Sequence, residues 1–414
     1  MNDIQWKRQR LYPSPNMTTC MVTYSFYEGD TRVMRYAEAL AGRGDRVDVI
    51  ALRREDQARE ESINGVSVYR IQRRAPNGNA RSSYLFGILL FWFRAMYVLM
   101  RRHVRARYQL IHVHSVPDFL VFITWFPKLT GTKIILDIHD LLPEFYASKY
   151  RTNHDSVAFK LLLLTERVST SFADYVIAAN DLWRERLVSR SVKSHRCSAM
   201  VNVPDQTIFS PKGRSRTDGR VIVFYPGTLN WHQGLDIAVR AFALIKDEAP
   251  EAYFHIYGEG PCHSLLVQLI KELRLEDRVF IRSFTSARKI ATIMEDADVG
   301  IVPKRKDGFG NEAFSTKIME FMAMGVPVIV SDTQVDRYYF DESVVKFFRS
   351  GDEQDLARSL LLLIKNPDTR NSLAVAASRF VEQNNWETMK KEYLALVDSL
   401  VGEWPDTEPA RIYL

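Results

Sequence analysis

The sequence is short of three things, and each shortage narrows its chemistry. It has only three cysteines, Cys20, Cys197 and Cys262, in 414 residues. An odd count with no Cys-x-x-Cys or Cys/His spacing excludes a disulfide scaffold and a zinc ribbon, and reads as reduced thiols in a cytoplasmic protein. Long apolar runs are also missing. The longest, 84–100, is broken by Arg94 and falls short of the roughly 20 residues a membrane-spanning helix needs. The N-terminus carries Lys7, Arg8 and Arg10 with no apolar stretch behind them, so no signal peptide is expected. Third, two motifs are lacking. Gly258-Glu259-Gly260 has no third glycine, which argues against a dinucleotide oxidoreductase. No Asp-x-Asp triplet stands at a strand's end, so no metal ion is expected.

What is present describes a large α/β protein. Hydrophobic residues make up 46% and charged residues 26%, enough to bury a core and to exclude disorder as the main state. The net charge of +6 is unevenly spread: residues 1–210 carry 30 basic and 20 acidic groups, the remainder 26 and 30. The basic half points to an anionic partner, such as a membrane surface or a phosphorylated lipid. Nucleic acid is disfavoured, since no zinc finger, RNP motif or helix-turn-helix is visible.

Strand-loop-helix alternation starts at Thr18–Tyr24, Thr31–Arg43 and Val47–Leu52, a βαβ grammar that predicts a parallel sheet. A stretch rich in Pro, Gly, Ser and Arg over 205–219 reads as a linker. The same grammar resumes at Arg220 and gives way to helices over 355–401. The reading is therefore an N-terminal extension (1–16), a first Rossmann-like domain (17–204), the linker, a second Rossmann-like domain (220–385) and a helical segment (386–414) expected to pack back on the first domain. Two doubly wound domains imply an intervening cleft, with ligands outside the carboxyl ends of the strands. Segment 84–107 fits either a helix buried on the sheet or an amphipathic helix leaning into a bilayer behind a collar of arginines. His112 and His114 share one face of a strand.

The densest candidate site runs from Gly308 to Pro327. A glycine loop opening a helix offers free N–H groups and a dipole to an anion such as a diphosphate. Glu312 and Glu320 would repel that anion unless they hold something else, and vicinal sugar hydroxyls suit a carboxylate. Glu312, seven residues, Glu320 and then Ala-x-Gly-x-Pro-Val resembles the E-x7-E signature of family 4 retaining glycosyltransferases of GT-B fold. Tyr225-Pro226-Gly227-Thr228-Leu229 with Gly234-Leu235-Asp236, Ile256 to Pro261, Ala297 to Pro303, the Gly29 loop and His139-Asp140 resemble further segments of that family in the same order, over about residues 17–385.

The resemblance implies Glu320 on the nucleotide ribose and Glu312 facing the donor sugar, beside Phe314, Ser315 and Thr316. Lys317 is either a phosphate contact or a helix ion pair. Gly258 and Glu259 would line the nucleotide, Phe284 the base, and His139 the anomeric centre or the acceptor. Gly29 would let its loop approach the diphosphate. Many family members carry Arg and Lys where this chain has Thr228 and Gln233, so the diphosphate charge must be met by Lys304, Arg305, Lys317 or helix N-termini. The implied donor is a UDP- or GDP-linked sugar used without a metal ion or other cofactor. The implied acceptor is a saccharide or a polyprenyl-diphosphate-linked saccharide, at the inner face of the membrane. A GT-B nucleotide-sugar epimerase is the alternative.

Overall fold

The computed structural model describes residues 17–74, 81–150, 152–153, 155–211, 213, 216–283 and 285–402. They divide into two units. The first takes 17–146, 152–200 and 389–402, and the second takes 147–150 and 201–388.

The first unit is built on eight strands: β1 (Thr18–Thr23), β2 (Arg46–Arg53), β3 (Glu60–Ile63), β4 (Val66–Arg73), β5 (Leu110–His114), β6 (Lys133–Ile138), β7 (Tyr175–Ala178) and β8 (Cys197–Ala199). Their order across the sheet is β3-β4-β2-β1-β5-β6-β7-β8. All pairs are parallel except β3 with β4. Every residue of β5 is buried, as expected of a central parallel strand covered on both faces. β4, next to the edge strand, buries only alternate residues.

The second unit carries β9 (Val221–Pro226), β10 (Ala252–Tyr257), β11 (Val279–Arg282), β12 (Val299–Val302), β13 (Val328–Ser331) and β14 (Lys346–Phe348). The order is β11-β10-β9-β12-β13-β14, parallel throughout. Its core joins β9, β10 and β12 to the helices Leu235–Ile245 and Glu353–Lys365 through residues such as Tyr225, Phe242, Phe254 and Leu360.

Helix starts follow capping chemistry. The side chains of Asp30, Ser156, Asn180, Thr333 and Asp352 each accept a hydrogen bond from the backbone N–H three residues on, satisfying a donor the helix cannot. Several elements have no clear periodic signal and were not expected: β3, β14 and the helices Leu142–Tyr150 and Gln334–Tyr339. The segment read as one helix over 119–129 divides into a 3-10 turn, Asp118–Thr124, and the short helix Trp125–Leu129.

The helix Arg81–Ala106 packs Ile88, Phe91, Ala95 and Leu99 inward while Phe86, Phe93 and Tyr97 stay exposed. No helix among the described residues is long and apolar enough to cross a membrane. The final helix, Trp386–Val401, joins the first unit through buried Tyr393, Leu394 and Val397, and Arg43 donates to Asp398 at 2.6 Å.

Packing makes some glycines obligatory. A Cβ on Gly300 in β12 would fall 2.6 Å from the Phe321 ring, whereas one on Gly42 would meet nothing within 4 Å. Gly300→Ala should cost about 1–3 kcal/mol through overpacking, and Gly42→Ala should be neutral or add up to about 1 kcal/mol. Urea unfolding of the two variants against the parent measures both.

Candidate functional site

In each sheet the strand order reverses beside the first strand of its unit, between β1 and β5 and between β9 and β12. The crevice outside the carboxyl ends of strands at such a point is where doubly wound sheets bind ligands.

In the second unit the loops after β9, β10 and β12 meet there at backbone distance. Gly227 (φ +146°) donates its N–H to the Tyr257 carbonyl at 2.8 Å. A Cβ on Gly258 would fall 1.7 Å from the Gly227 carbonyl oxygen, and one on Gly234 (φ +66°) would fall 2.0 Å from that of Pro303. Only glycine fits at these positions. Leu229 N–H donates to the Glu259 carbonyl at 2.9 Å, and the Glu259 side chain is exposed.

Lys317 lies across this glycine floor. Its Cε would be 2.3 Å from a Cβ on Gly227, its Nζ sits 5.6 Å from the Tyr225 ring centroid, and it donates to Gln233 Oε1 at 3.5 Å. Tyr225 Oη lies 3.1 Å from the same Gln233 oxygen and 3.0 Å from the Thr228 carbonyl, so its one proton is shared between these two acceptors. Gln233 and Thr228 thus organise the loop as neutral groups. Burial pulls the Lys317 ammonium down to about 8, against the pull of nearby Glu320.

The other two candidate cations are already paired. Lys304 is buried against Asp336 at 2.9 Å and donates to the Ala313 carbonyl. Arg305 grips both oxygens of Asp236 and stacks on Trp231. Their charges hold loops in place, while Lys317 has no ion pair among the described residues.

The helix Thr316–Ala323 opens beside Lys317. Its N-cap Ser315 is buried, makes no side-chain capping bond, and its Oγ has no hydrogen-bond partner among the described residues. The first-turn N–H groups at Thr316 and Lys317 have no acceptor within the helix. Glu312 is buried just before it and Glu320, half-buried, follows Lys317 by three residues. Ile318, Met319, Phe321 and Met322 fill the opposite, inner face. The Phe314 ring packs on Tyr339 and Phe340, so only its backbone is available. Phe284 lies outside the described residues.

The first unit gathers a different set at the ends of β5 and β6. Asp137 accepts from Arg32 Nε and Nη2 at 2.7 and 2.8 Å, from His139 Nε2 at 3.1 Å and from His114 Nδ1 at 3.2 Å. Burial would raise this carboxyl, but Arg32 and the histidines hold it well below the ordinary range. Burial opposes a charge on His139 as well, yet Asp137 outweighs it and the ring's pKa is raised. His114 and His112 go the other way, lowered chiefly by burial. Tyr393 of the last helix places its hydroxyl 3.1 Å from His112 Nδ1, and Tyr36 stacks on Tyr393 at 4.3 Å.

His112, His114 and Asp137 bring ligand atoms within 4.8 Å of one another, but the Arg32 guanidinium already covers both Asp137 oxygens. That places a fixed cation where a metal ion would bind, so this donor set does not suit one. Gly29 sits in a 3-10 turn with ordinary φ, where a Cβ would meet side chains alone, Arg54 at 3.5 Å and Phe26 at 4.0 Å; the surrounding backbone does not require glycine there. Arg32, Tyr36 and Tyr393 were invisible as site residues in the sequence. Their partners are 105, 76 and 281 positions away, and no local motif connects them.

Residues 206–380 match the family described as glycosyl transferases group 1, and residues 29–202 match the glycosyl transferase 4-like domain. The Escherichia coli (strain K12) protein WcaL, whose name assigns it to glycosyl transfer in colanic acid biosynthesis, is 27% identical over 157 residues; the aligned stretch is 38% of this chain and 39% of that protein. The chain thus spans about two fifths of that relative's length. Sucrose-phosphate synthase from Thermosynechococcus elongatus superposes with a TM-score of 0.75 at 19% identity, over 93% of this chain and 99% of that one. Anabaena Alr3699/HepE, solved with UDP-glucose, gives 0.69 at 15% identity, over 93% and 100%. These likenesses establish the GT-B fold.

The histidine shifts set a pH dependence. Burial lowers the pKa of His112 and His114 in the folded protein while the unfolded chain protonates near pH 6.5, so their contribution to stability is lost as pH falls below that value. His139 opposes this: its contribution is full below the unfolded pKa and fades as pH rises through the raised folded one. Stability measured by urea unfolding from pH 8 to 5 should therefore fall less steeply in His112→Asn than in the parent, and more steeply in His139→Gln.

Proposed function

The chain belongs to the group 1 family of glycosyl transferases with the GT-B fold, and from that premise we propose that it is a retaining hexosyltransferase using a nucleoside-diphosphate sugar. The observation that carries this reading is the β9–β12 switch point. Three glycine-limited loops, a helix N-terminus with a buried unpartnered Ser315 hydroxyl, and a lysine without a carboxylate partner converge there. The set suits a diphosphate: N–H dipoles and one ammonium meet its charge at a place where side chains larger than hydrogen would block approach.

In this reading Glu320 accepts hydrogen bonds from the ribose diol, Glu312 with the backbone of Phe314 and Ser315 orients the donor sugar, and Lys317 neutralises the diphosphate. UDP is the favoured nucleotide, in keeping with the fold neighbour solved with UDP-glucose, and a GDP-linked donor fits the same contacts. The leaving group needs no metal ion, because Lys317 and the helix N-terminus supply the positive field.

Retention follows a front-face course. The anomeric carbon–oxygen bond breaks with its electron pair going to the diphosphate, the acceptor oxygen bonds to the same face, and the acceptor's proton passes to the departing phosphate oxygen. Acceptor handling is assigned to the first unit. His139, held by Asp137, positions the reacting groups there. The acceptor is a hydroxyl of a saccharide carried on polyprenyl diphosphate during polysaccharide assembly, met at the inner membrane face through 84–107.

Glu320→Ala should weaken UDP binding by about tenfold or more, the worth of hydrogen bonds to a charged group, as read by calorimetry. Glu312→Ala should retain UDP binding and fold but lose transfer. If both variants turn over normally, the site is misplaced. Since the free Lys317 ammonium titrates at about 8, UDP affinity should decline above that pH in the parent, and this decline should vanish in Lys317→Met.

A further inference from the structure

One feature of the first unit takes no part in the donor site or the histidine network. A groove of about 1110 Å³ runs between the helix Arg81–Ala106 and strands β3 and β4, and eight arginines but a single carboxylate, Glu60, line it. Two of the arginines belong to the framework. Arg102 is tied to Asp48 and Tyr69, and Arg70, only 2% exposed, pairs with Glu28 and Glu61 while its Nε has no hydrogen-bond partner among the described residues. The other six, Arg53, Arg59, Arg73, Arg94, Arg101 and Arg105, make no ion pair among the described residues. Like charges so crowded repel one another unless an anion lies between them.

The helix that forms one wall has three distinct faces. Ile88, Phe91, Ala95 and Leu99 are buried on the sheet. Arg94, Arg101 and Arg105, spaced seven and four residues apart, form a row along the groove. At 100° per residue, Phe86, Phe93, Tyr97 and Val104 cluster about a quarter turn beyond that row, on the side away from the sheet, and Phe86 and Tyr97 of this stripe also line the groove. They are 68%, 59%, 64% and 67% exposed. An outward apolar stripe flanked by a cation row is the pattern of a helix lying in a membrane interface. A soluble polyanion would account for the arginines and leave the exposed aromatic stripe without a role.

We propose that this groove is a binding site for the phosphate groups of anionic phospholipids, with the apolar stripe of the helix seated in the bilayer above them. The inference deepens the membrane-face reading of residues 84–107 and rests on it. It adds a built headgroup site and a dependence on lipid charge. The ligand chemistry is a cluster of phosphates at a bilayer surface, whose charge complements six arginines, and whose acyl boundary complements the stripe.

The test is co-sedimentation of the full chain with vesicles of phosphatidylcholine alone or of equal parts phosphatidylcholine and phosphatidylglycerol. The parent should bind the mixed vesicles, bind the neutral ones far more weakly, and be released by salt. Arg94→Gln/Arg101→Gln/Arg105→Gln should weaken binding to mixed vesicles on the order of a hundredfold, at about 1 kcal/mol for each arginine near an anionic surface. Phe93→Ser/Tyr97→Ser should release the chain from both compositions. Equal binding of parent and triple variant to mixed vesicles overturns the headgroup site. So does saturable binding of inorganic pyrophosphate that the triple variant loses while the parent ignores vesicles, because the groove would then serve a soluble phosphate. Full vesicle binding by the serine variant sinks the membrane reading beneath it. UDP binding, measured alongside, tests the donor site and is expected to be unchanged in both variants.

Discussion

A parallel strand cannot turn straight back onto its neighbour. Each must be followed by a crossover, so every connection that leaves the carboxyl ends of a sheet emerges along one edge. The chemistry of this protein depends on that constraint. Residues 227, 258 and 303 are far apart in the chain, yet β9, β10 and β12 lie side by side and in parallel register. Their loops must therefore meet. At the meeting point, backbone touches backbone, and Gly227, Gly234 and Gly258 keep the floor of the site thin.

Charge placement then divides structural from functional cations. Lys304 and Arg305 are adjacent in sequence and equally plausible as diphosphate ligands, but each has a carboxylate of its own, Asp336 and Asp236. Removing such a partner would leave a charge uncompensated, which is expensive in a low-dielectric setting. Lys317 differs because it makes no ion pair among the described residues: its hydrogen bond runs to the neutral Gln233 oxygen, and Glu320 acts on it through its field. A partly desolvated ammonium outside any ion pair gains more from an arriving anion than a paired one does.

The first unit solves a related problem around Asp137. One buried carboxylate receives Arg32 and two histidines, and the charge of Arg32 allows the carboxylate to stay ionised in the core. His139, the most exposed member, is the one whose protonated form is favoured, while burial disfavours the protonated forms of His112 and His114. Tyr393 closes the cluster from the last helix. The helix Trp386–Val401 thereby becomes part of the surroundings of a motif more than 250 positions before Tyr393.

Strand and helix alternation and the seven-residue gap between Glu312, in the loop, and Glu320, on the helix that follows, were legible because each rests on local periodicity or spacing. Short, weakly patterned elements such as β3, β14 and Leu142–Tyr150 were not, since their stability comes from neighbours rather than from their own apolar repeat. The sequence also left open whether 84–107 is a buried helix or a surface one; the fold shows a buried face and an exposed apolar face on the same helix. By itself, then, the sequence determined the α/β class, the order of the motifs and the family they resemble, all properties of residues close in the chain. Only tertiary structure decided which cations are free, which glycines are obligatory and which groups surround Asp137. Those outcomes depend on distances between residues that no local pattern connects.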